Sequence, residues 1–340
     1  MNSLRMPPRF VIVTLVLLSL VSGYFSLAYG SIDISSNQTL SSLLSFVHGN
    51  EPKGFEQTVV LEMRLPRVLL AALIGGLLAL AGVIIQAIVR NPMADPYLLG
   101  VSNGASMVMV LLFAYGGEWL SHSFLPQLLS GLGGLSAFLL VMLLARQNQH
   151  SMNTNKLILA GIAVSFMLSA ITSMIMLSAQ SQKLPGIMQW MMGSLVNAQW
   201  SQLPMLTTAL ILGLVVAVKY SRVLDALSLG DEKAATLGVN LRFHRFMWSV
   251  LTALLTGIAV SQVGVVGFIG LMVPHFARFL VGGSHHCLLP ISVLLGALLC
   301  ILVDLLCRIL IRPEELPIGI PMAIIAMPFF LWLLRSNHAR

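Results

Sequence analysis

This sequence contains very little charge for its length. Only 9% of its 340 residues are Asp, Glu, Lys or Arg, whereas soluble domains carry about 25%. Hydrophobic residues make up 57% of the chain, and the mean hydropathy is +0.90. Apolar runs of about 20 residues recur along its whole length, and a helix of that size crosses a bilayer. The composition excludes a soluble protein and predicts an all-α polytopic membrane protein.

Cysteine is scarce, and common catalytic motifs are missing. The three cysteines, Cys287, Cys300 and Cys307, show no C-x-x-C spacing, which excludes a disulfide framework or a zinc site of that kind. The histidines are scattered, so we predict no metal site. There is no G-x-x-x-x-G-K-[ST] and no H-E-x-x-H. The chain therefore lacks the P-loop chemistry of an ATPase, and we predict that it binds no cofactor itself.

The apolar runs divide into about ten predicted spans. The run 246–281 is too long for one span, and Gly264, Gly267 and Gly270 indicate a break that makes it two. We interpret residues 31–63 as a polar external loop and 187–196 as a short surface helix. The first run is longer than the apolar part of a signal peptide, so we expect it to be retained. The predicted spans are 10–29, 68–89, 97–116, 124–145, 157–179, 203–218, two within 246–281, 288–311 and 318–334.

Basic residues predict the orientation of these spans. Ten spans place both termini on one side, together with most of the 19 Lys and Arg residues. Because basic residues concentrate in cytosolic loops, we expect the termini in the cytosol. The net charge of +7 is then a feature of membrane topology, and we predict no nucleic-acid partner.

Residues 222–245, called the elbow below, form the longest stretch of mixed charge. The pattern predicts two short amphipathic helices between spans six and seven, broken near Gly230 and again at 238–240. We expect Asp231 to cap the second helix. An ordinary solvated loop is the plain alternative. A structured, charged segment between apolar spans favours a surface presented to a partner.

Two features within the spans allow a second interpretation. Gly100 to Gly104 match G-x-S-x-G, the pattern around a hydrolase nucleophile, which raises an intramembrane serine hydrolase using Ser102 with His275 as base. Small residues that permit close helix contact are the favoured explanation. Asp304 and Arg308 lie four residues apart, a spacing that predicts an ion pair on one helix face.

Seven ordered stretches carry a resemblance to a known family. Between about residue 60 and residue 334, the chain resembles permease subunits of ABC importers for iron–siderophore complexes, haem and vitamin B12. The stretches are RLPR (64–67), Q-x(4)-NPMADPYLLGVSNGA (86–105), NKLILAGIA (155–163), QWMMGSL (189–195), LGDEKAATLGVNL (229–241), GFIGLMVPHFARF (267–279) and ELPIGIPMAIIAMPFFLWLL (315–334).

The resemblance implies a fold, partners and a location. It implies the type II ABC importer permease fold, one transmembrane domain over 1–340 that pairs with a second permease, identical or similar. Two cytosolic ATP-binding subunits would supply ATP and Mg, and a periplasmic binding protein would deliver the ligand. The location implied is the bacterial inner membrane. The implied ligand is a bulky metal chelate, a ferric siderophore first, with haem or vitamin B12 as alternatives.

The resemblance also implies roles for individual residues. The elbow is expected to dock into the ATP-binding subunit. Three arginines at the outer face are expected to bind acidic residues of the binding protein. Four residues are expected to form a cytosolic gate. The ATPase-coupling residues are Leu229, Gly230, Asp231, Glu232, Ala234, Ala235, Leu237 and Gly238; the docking residues are Arg64, Arg67 and Arg308; the gate residues are Asn91, Met93, Thr154 and Asn155.

Overall fold

A computed structural model describes residues 6–30, 32, 34–49, 52, 54–116, 125–145 and 154–337. Within these residues the chain is built from helices joined by short turns. In chain order they are α1 (Pro8–Ala28), α2 (Ser36–Val47), α3 (Phe55–Thr58), α4 (Leu65–Val89), α5 (Val101–Tyr115), α6 (Leu125–Ala145), α7 (Thr154–Ser178), α8 (Leu184–Met191), α9 (Leu203–Lys219), α10 (Ser221–Ser228), α11 (Asp231–Thr236), α12 (Leu241–Val263), α13 (Ile269–Val281), α14 (His285–Ile309) and α15 (Gly319–Asn337).

Ten of these helices are strongly apolar. Seven are long enough to cross a membrane, namely α1, α4, α6, α7, α9, α12 and α14. The span that contains α4 also includes the helical turns before it, from Phe55 onward. Three more, α5, α13 and the Gly319–Phe329 part of α15, are shorter apolar helices. Each of the ten coincides with one predicted span, so the all-α polytopic fold is confirmed.

Helix α4 lies at the centre of the bundle. In its most apolar 18-residue stretch, 83% of the residues are buried, and it packs against α9, α12, α13 and α14. A Cβ atom on Gly75 would lie 2.1 Å from the carbonyl oxygen of Gly296, and one on Gly82 would lie 1.9 Å from that of Gly270. Small residues thus bring the backbone of α4 into direct contact with α14 and α13.

The predicted break within 246–281 is present. Helix α12 ends at Val263, and α13 begins at Ile269. Gly264 has φ 78°, a left-handed value that suits glycine, and Phe268 also has a positive φ of 69°. The turn is held by a hydrogen bond of 2.8 Å from the backbone N–H of Ser194 to the carbonyl oxygen of Val263.

Two surface segments differ from the prediction. The expected loop 31–63 contains α2, where Ser35 and Gln38 form a capping box, a signal that the sequence analysis missed. It also contains α3 and a π-helical turn, Val59–Arg64, that leads into α4 just before Pro66. Proline lacks a backbone N–H, and Pro66 stands in the first turn of α4, where proline is tolerated. The short helix expected at 187–196 occupies Leu184–Met191 instead.

Candidate functional sites at the two ends of the bundle

The elbow folds as two short helices, α10 and α11, followed by the first turn of α12. Helices α10 and α11 are separated at Leu229 and Gly230, and residues 237–240 separate α11 from α12, so the two predicted breaks are confirmed. The expected cap was wrong. Gly230 is the N-cap of α11, and Asp231 is the first residue inside the helix. Its carboxylate is instead engaged by two arginines.

Apolar side chains are exposed on the elbow. Leu229 is 58% exposed and Leu237 is 64% exposed. Glu232, Ala235 and Gly238 are also exposed. Gly230 and Asp231 are partly buried, and Ala234 is fully buried. The elbow therefore exposes two leucines and the carboxylate of Glu232, while the buried Ala234 lies on the inner face of α11.

Asp225 joins the elbow to α14. Its Oδ1 atom lies 2.6 Å from Nδ1 of His285 and accepts a hydrogen bond of 3.0 Å from the backbone N–H of the same residue. A carboxylate at a helix N-terminus satisfies a backbone donor that would otherwise have no partner in the helix. Sixty residues separate the two positions, so local pattern analysis had no signal for this contact.

The candidate gate residues lie at the same end as the elbow. Asn91 follows the C-terminal end of α4, and its Oδ1 atom accepts a hydrogen bond of 2.9 Å from the backbone N–H of Met93. Met93 packs against Met272 and Phe329. Thr154 and Asn155 begin α7, and their side chains lie outside the described part of the chain. The gate role remains a prediction.

The three candidate docking arginines lie together at the opposite end. Arg64 donates hydrogen bonds of 2.6 Å and 2.9 Å to the carbonyl oxygens of Leu27 and Ala28, and it also contacts the carbonyl oxygen of Ile32. Only 6% of Arg64 is exposed. Its side chain thus satisfies carbonyl groups at the C-terminal end of α1, where they lack partners within the helix.

Arg67 and Arg308 share one buried carboxylate. Nε of Arg67 lies 2.9 Å from Oδ1 of Asp304, and Nη2 of Arg308 lies 3.1 Å from Oδ2. Nη1 of Arg67 also lies 2.6 Å from Oε2 of Glu315, and Arg308 bonds Ser26 of α1. The Asp304–Arg308 pair expected from spacing is confirmed. The geometry supports internal pairing for these arginines, and their docking role remains a prediction.

The G-x-S-x-G stretch has the geometry of helix packing. Ser102 lies in the first turn of α5, which follows a short 3-10 turn. A Cβ atom on Gly104 would lie 2.4 Å from the carbonyl oxygen of Gly133 on α6. A hydrolase nucleophile needs a sharp turn from a strand into a helix, and the turn before Ser102 is not of that kind. The small residues here bring α5 against α6.

Replacing Ser102 with alanine should leave transport within about twofold of the wild type, because alanine fits a position that is only 4% exposed. In contrast, Gly104→Ala should sharply reduce the amount of folded protein, since the added methyl group meets backbone. Uptake and detergent-extracted yield of both variants are the measurements. Complete loss of uptake in Ser102→Ala at normal yield would contradict a role of Ser102 in helix packing alone.

Nine apolar helices packed with a tenth, the buried central helix α4, and a charged helical elbow at one end define a multi-pass membrane protein. The model of the FecCD transport family matches residues 16–336. The chain belongs to that family, which is a family of ABC transporter permeases.

Curated relatives and a solved structure agree with this assignment. The Fe(3+) dicitrate transport system permease protein FecD of Escherichia coli K12 is 42% identical over 280 residues, covering 81% of this chain and 85% of the relative. The hemin transport system permease protein HmuU of Yersinia pestis is 35% identical over 339 residues, covering 99% and 98%. An inward-facing metal-chelate type ABC transporter superposes with a TM-score of 0.82 at 30% identity, covering 97% of this chain and 99% of that one.

Proposed function

We propose that this chain is the permease subunit of an ATP-driven importer that moves a ferric siderophore from periplasm to cytosol. The observation that carries the proposal is the exposed helical elbow, in an ABC transporter permease whose sequence has no P-loop of its own. Such a chain needs a separate ATP-binding subunit and a surface to receive it. Leu229 and Leu237 supply that surface, because apolar side chains exposed on a segment outside the membrane favour binding to another protein.

The remaining partners follow from this architecture. Two ATP-binding subunits bring ATP and Mg, a second permease completes the pathway, and a periplasmic binding protein delivers the chelate. The complex lies in the bacterial inner membrane, with both termini and the elbow in the cytosol. The concentration of Lys and Arg at that end supports this orientation.

The names of the relatives bear on the chelate. FecD is named for Fe(3+) dicitrate, which supports a ferric chelate of small organic acids or of a siderophore. HmuU is named for hemin and matches almost the whole chain, so haem is the second candidate. A relative from Vibrio cholerae, 37% identical over 287 residues, is named for vitamin B12, and cobalamin is the third.

Arg64, Arg67 and Arg308 are proposed to receive carboxylates of the binding protein. Arginine suits this role because its planar guanidinium binds a carboxylate through two parallel hydrogen bonds. Their internal contacts mean that docking requires an exchange of partners. Glu315 is the more accessible carboxylate of the cluster, with 24% of its side chain exposed against 1% for Asp304, so an incoming carboxylate would displace Glu315 first.

Reconstitution tests the proposal directly. The chain is co-expressed with its neighbouring genes, purified with its partners and placed in liposomes. Uptake is measured for radioactive iron as a ferric siderophore or ferric citrate, for haem and for cobalamin, with and without ATP and binding protein. Uptake of a ferric chelate that needs both is the expected result. Uptake of haem or cobalamin alone would keep the importer and change its ligand, and failure of any ATP-binding subunit to co-purify would contradict the importer.

Leu237→Glu is expected to weaken the association with the ATP-binding subunit by at least about tenfold, since a central apolar contact contributes about 2 kcal/mol or more. Leu237 is 64% exposed, so the melting temperature of the permease alone should not change. Glu232→Lys, which reverses an exposed charge on the same helix, should also lower transport. Co-purification and ATPase activity are the readouts.

A matched control separates docking from general damage. Leu40→Glu changes a 52% exposed leucine on α2, away from the elbow, and should retain the ATP-binding subunit. Normal association of the Leu237→Glu variant would contradict the elbow as the docking surface.

A further inference from the structure

The contacts of Asp231 extend beyond the two short helices α10 and α11. Its carboxylate is bound by the guanidinium of Arg245 on α12, and its Oδ1 atom lies 3.4 Å from Nη1 of Arg90. Arg90 is the residue that follows α4 and precedes the turn 91–95. One carboxylate at the start of α11 therefore links the elbow to the central helix and to the base of α12.

The backbone of Arg90 is held in an unusual conformation. Its φ of 57° and ψ of 33° are left-handed, and it is one of two non-glycine residues with positive φ in the described part of the chain. Such a position favours glycine or asparagine, and a persistent outlier indicates a compensating contact. Gly230 lies beside its side chain, since a Cβ atom there would be 3.6 Å from Nη1 of Arg90, an ordinary van der Waals distance. The guanidinium of Arg90 lies in the ion pair with Asp231.

The turn after Arg90 is bound firmly to α13. Nε2 of Gln86 donates hydrogen bonds of 3.3 Å to the carbonyl oxygen of Ala94 and 3.2 Å to that of Gly270. Beyond the turn, the hydroxyl of Tyr97 donates a hydrogen bond of 2.8 Å to the carbonyl oxygen of Val266 and accepts one of 3.0 Å from its N–H. These bonds connect the turn with the α12–α13 break and with the start of α13.

We propose that Arg90 and Asp231 form the mechanical link through which the elbow moves the turn that carries Asn91 and Met93. This inference rests on the proposed function of the elbow. Both are positioning residues, since neither contacts the transported chelate in the argument. Movement of α11 on ATP binding pulls the carboxylate of Asp231, Arg90 follows through its guanidinium, and the turn shifts relative to α7. The link is short, charged and partly shielded, with Arg90 and Asp231 side chains 36% and 32% exposed.

Arg90→Gln is the sharpest test because it removes the charge that pairs with Asp231. It leaves the Asp231–Arg245 pair and the exposed leucines in place. The complete transporter is reconstituted with its ATP-binding subunits and binding protein. The probe is whichever of ferric citrate, a ferric hydroxamate, haem or cobalamin the wild type takes up. We expect the ratio of chelate molecules transported to ATP molecules hydrolysed to fall at least about tenfold. Co-purification of the ATP-binding subunit and the melting temperature should not change. Arg9→Gln, an exposed arginine of α1, is the matched control and should retain the wild-type ratio.

A double-variant cycle distinguishes a link from two separate effects. Asp231→Asn should lower the same ratio, and the combination with Arg90→Gln should be no worse than the more severe single change, because residues acting through one contact are not additive. A wild-type ratio in Arg90→Gln overturns the link. Loss of the ATP-binding subunit from that variant also overturns it, because that result would assign Arg90 to docking. A wild-type chain that binds no ATP-binding subunit overturns the proposed function as well.

Discussion

Asp304→Asn is expected to destabilise the protein by about 3–5 kcal/mol, because it removes the shared partner of two buried arginines. Arg67 and Arg308 are 8% and 3% exposed, and Asp304 is 1% exposed. The substitution keeps the shape of the side chain and removes its charge, so the loss reports electrostatics. Thermal unfolding in detergent should show a melting temperature lower by roughly 5–10 °C.

Two further variants make this result specific. Arg67, Arg308, Asp304 and Glu315 form a set whose formal charges cancel. Asp304→Asn leaves one uncompensated positive charge, and adding Arg308→Gln removes it, so the double variant should be more stable than Asp304→Asn alone. Glu314→Gln changes an exposed neighbouring carboxylate and should lie within about 0.5 kcal/mol of the wild type. Equal melting temperatures for Asp304→Asn and Glu314→Gln would show that the buried pairs add no stability.

Gly75→Ala is expected to reduce the folded protein several-fold, since overpacking costs about 1–3 kcal/mol or more. The new Cβ atom would lie 2.1 Å from the carbonyl oxygen of Gly296 and 2.9 Å from Cβ of Cys300. The obstacle is backbone, so no side-chain rotation relieves it, and α4 must separate from α14. Folded yield is measured by size-exclusion chromatography of the detergent extract.

Gly131→Ala is the matched control because a Cβ atom there meets nothing within 4 Å. Both changes exchange a helical glycine for alanine and gain similar helix propensity, about 0.5–1 kcal/mol. The difference between them therefore isolates helix contact. If the two variants gave equal yields and melting temperatures, the close approach of α4 and α14 would have no energetic importance.

Local sequence patterns predicted the helices well. Hydropathy located ten apolar helices, because a span must satisfy its own backbone in lipid and present apolar side chains over a fixed length. The glycines from 264 to 270 marked the break between α12 and α13. Glycines also marked the breaks within the elbow, at Gly230 and Gly238, so it was predicted to form two helices. The missed α2 also had a local signal, the capping box of Ser35 and Gln38.

Partners of charged residues were predicted only when they were close in sequence. Asp304 and Arg308 are four apart on one helix, and their pair was expected. Arg67 reaches the same carboxylate from 237 residues away, a contact that depends on how α4 packs against α14. Asp231 was expected to cap α11, and its place beside Arg90 and Arg245 depends on how α11 lies relative to α12 and to the end of α4.

The sequence by itself therefore determined that this is a polytopic helical membrane protein with a structured elbow and no P-loop, because hydropathy, helix breaks and motifs act over short distances. Tertiary structure decided that α4 is the buried centre, that its ends carry Arg67 and Arg90, and which carboxylates these two arginines meet. Those contacts join elements far apart in the chain. Their geometry depends on how the helices pack, and glycines let the backbone of α4 approach α14 and α13 closely.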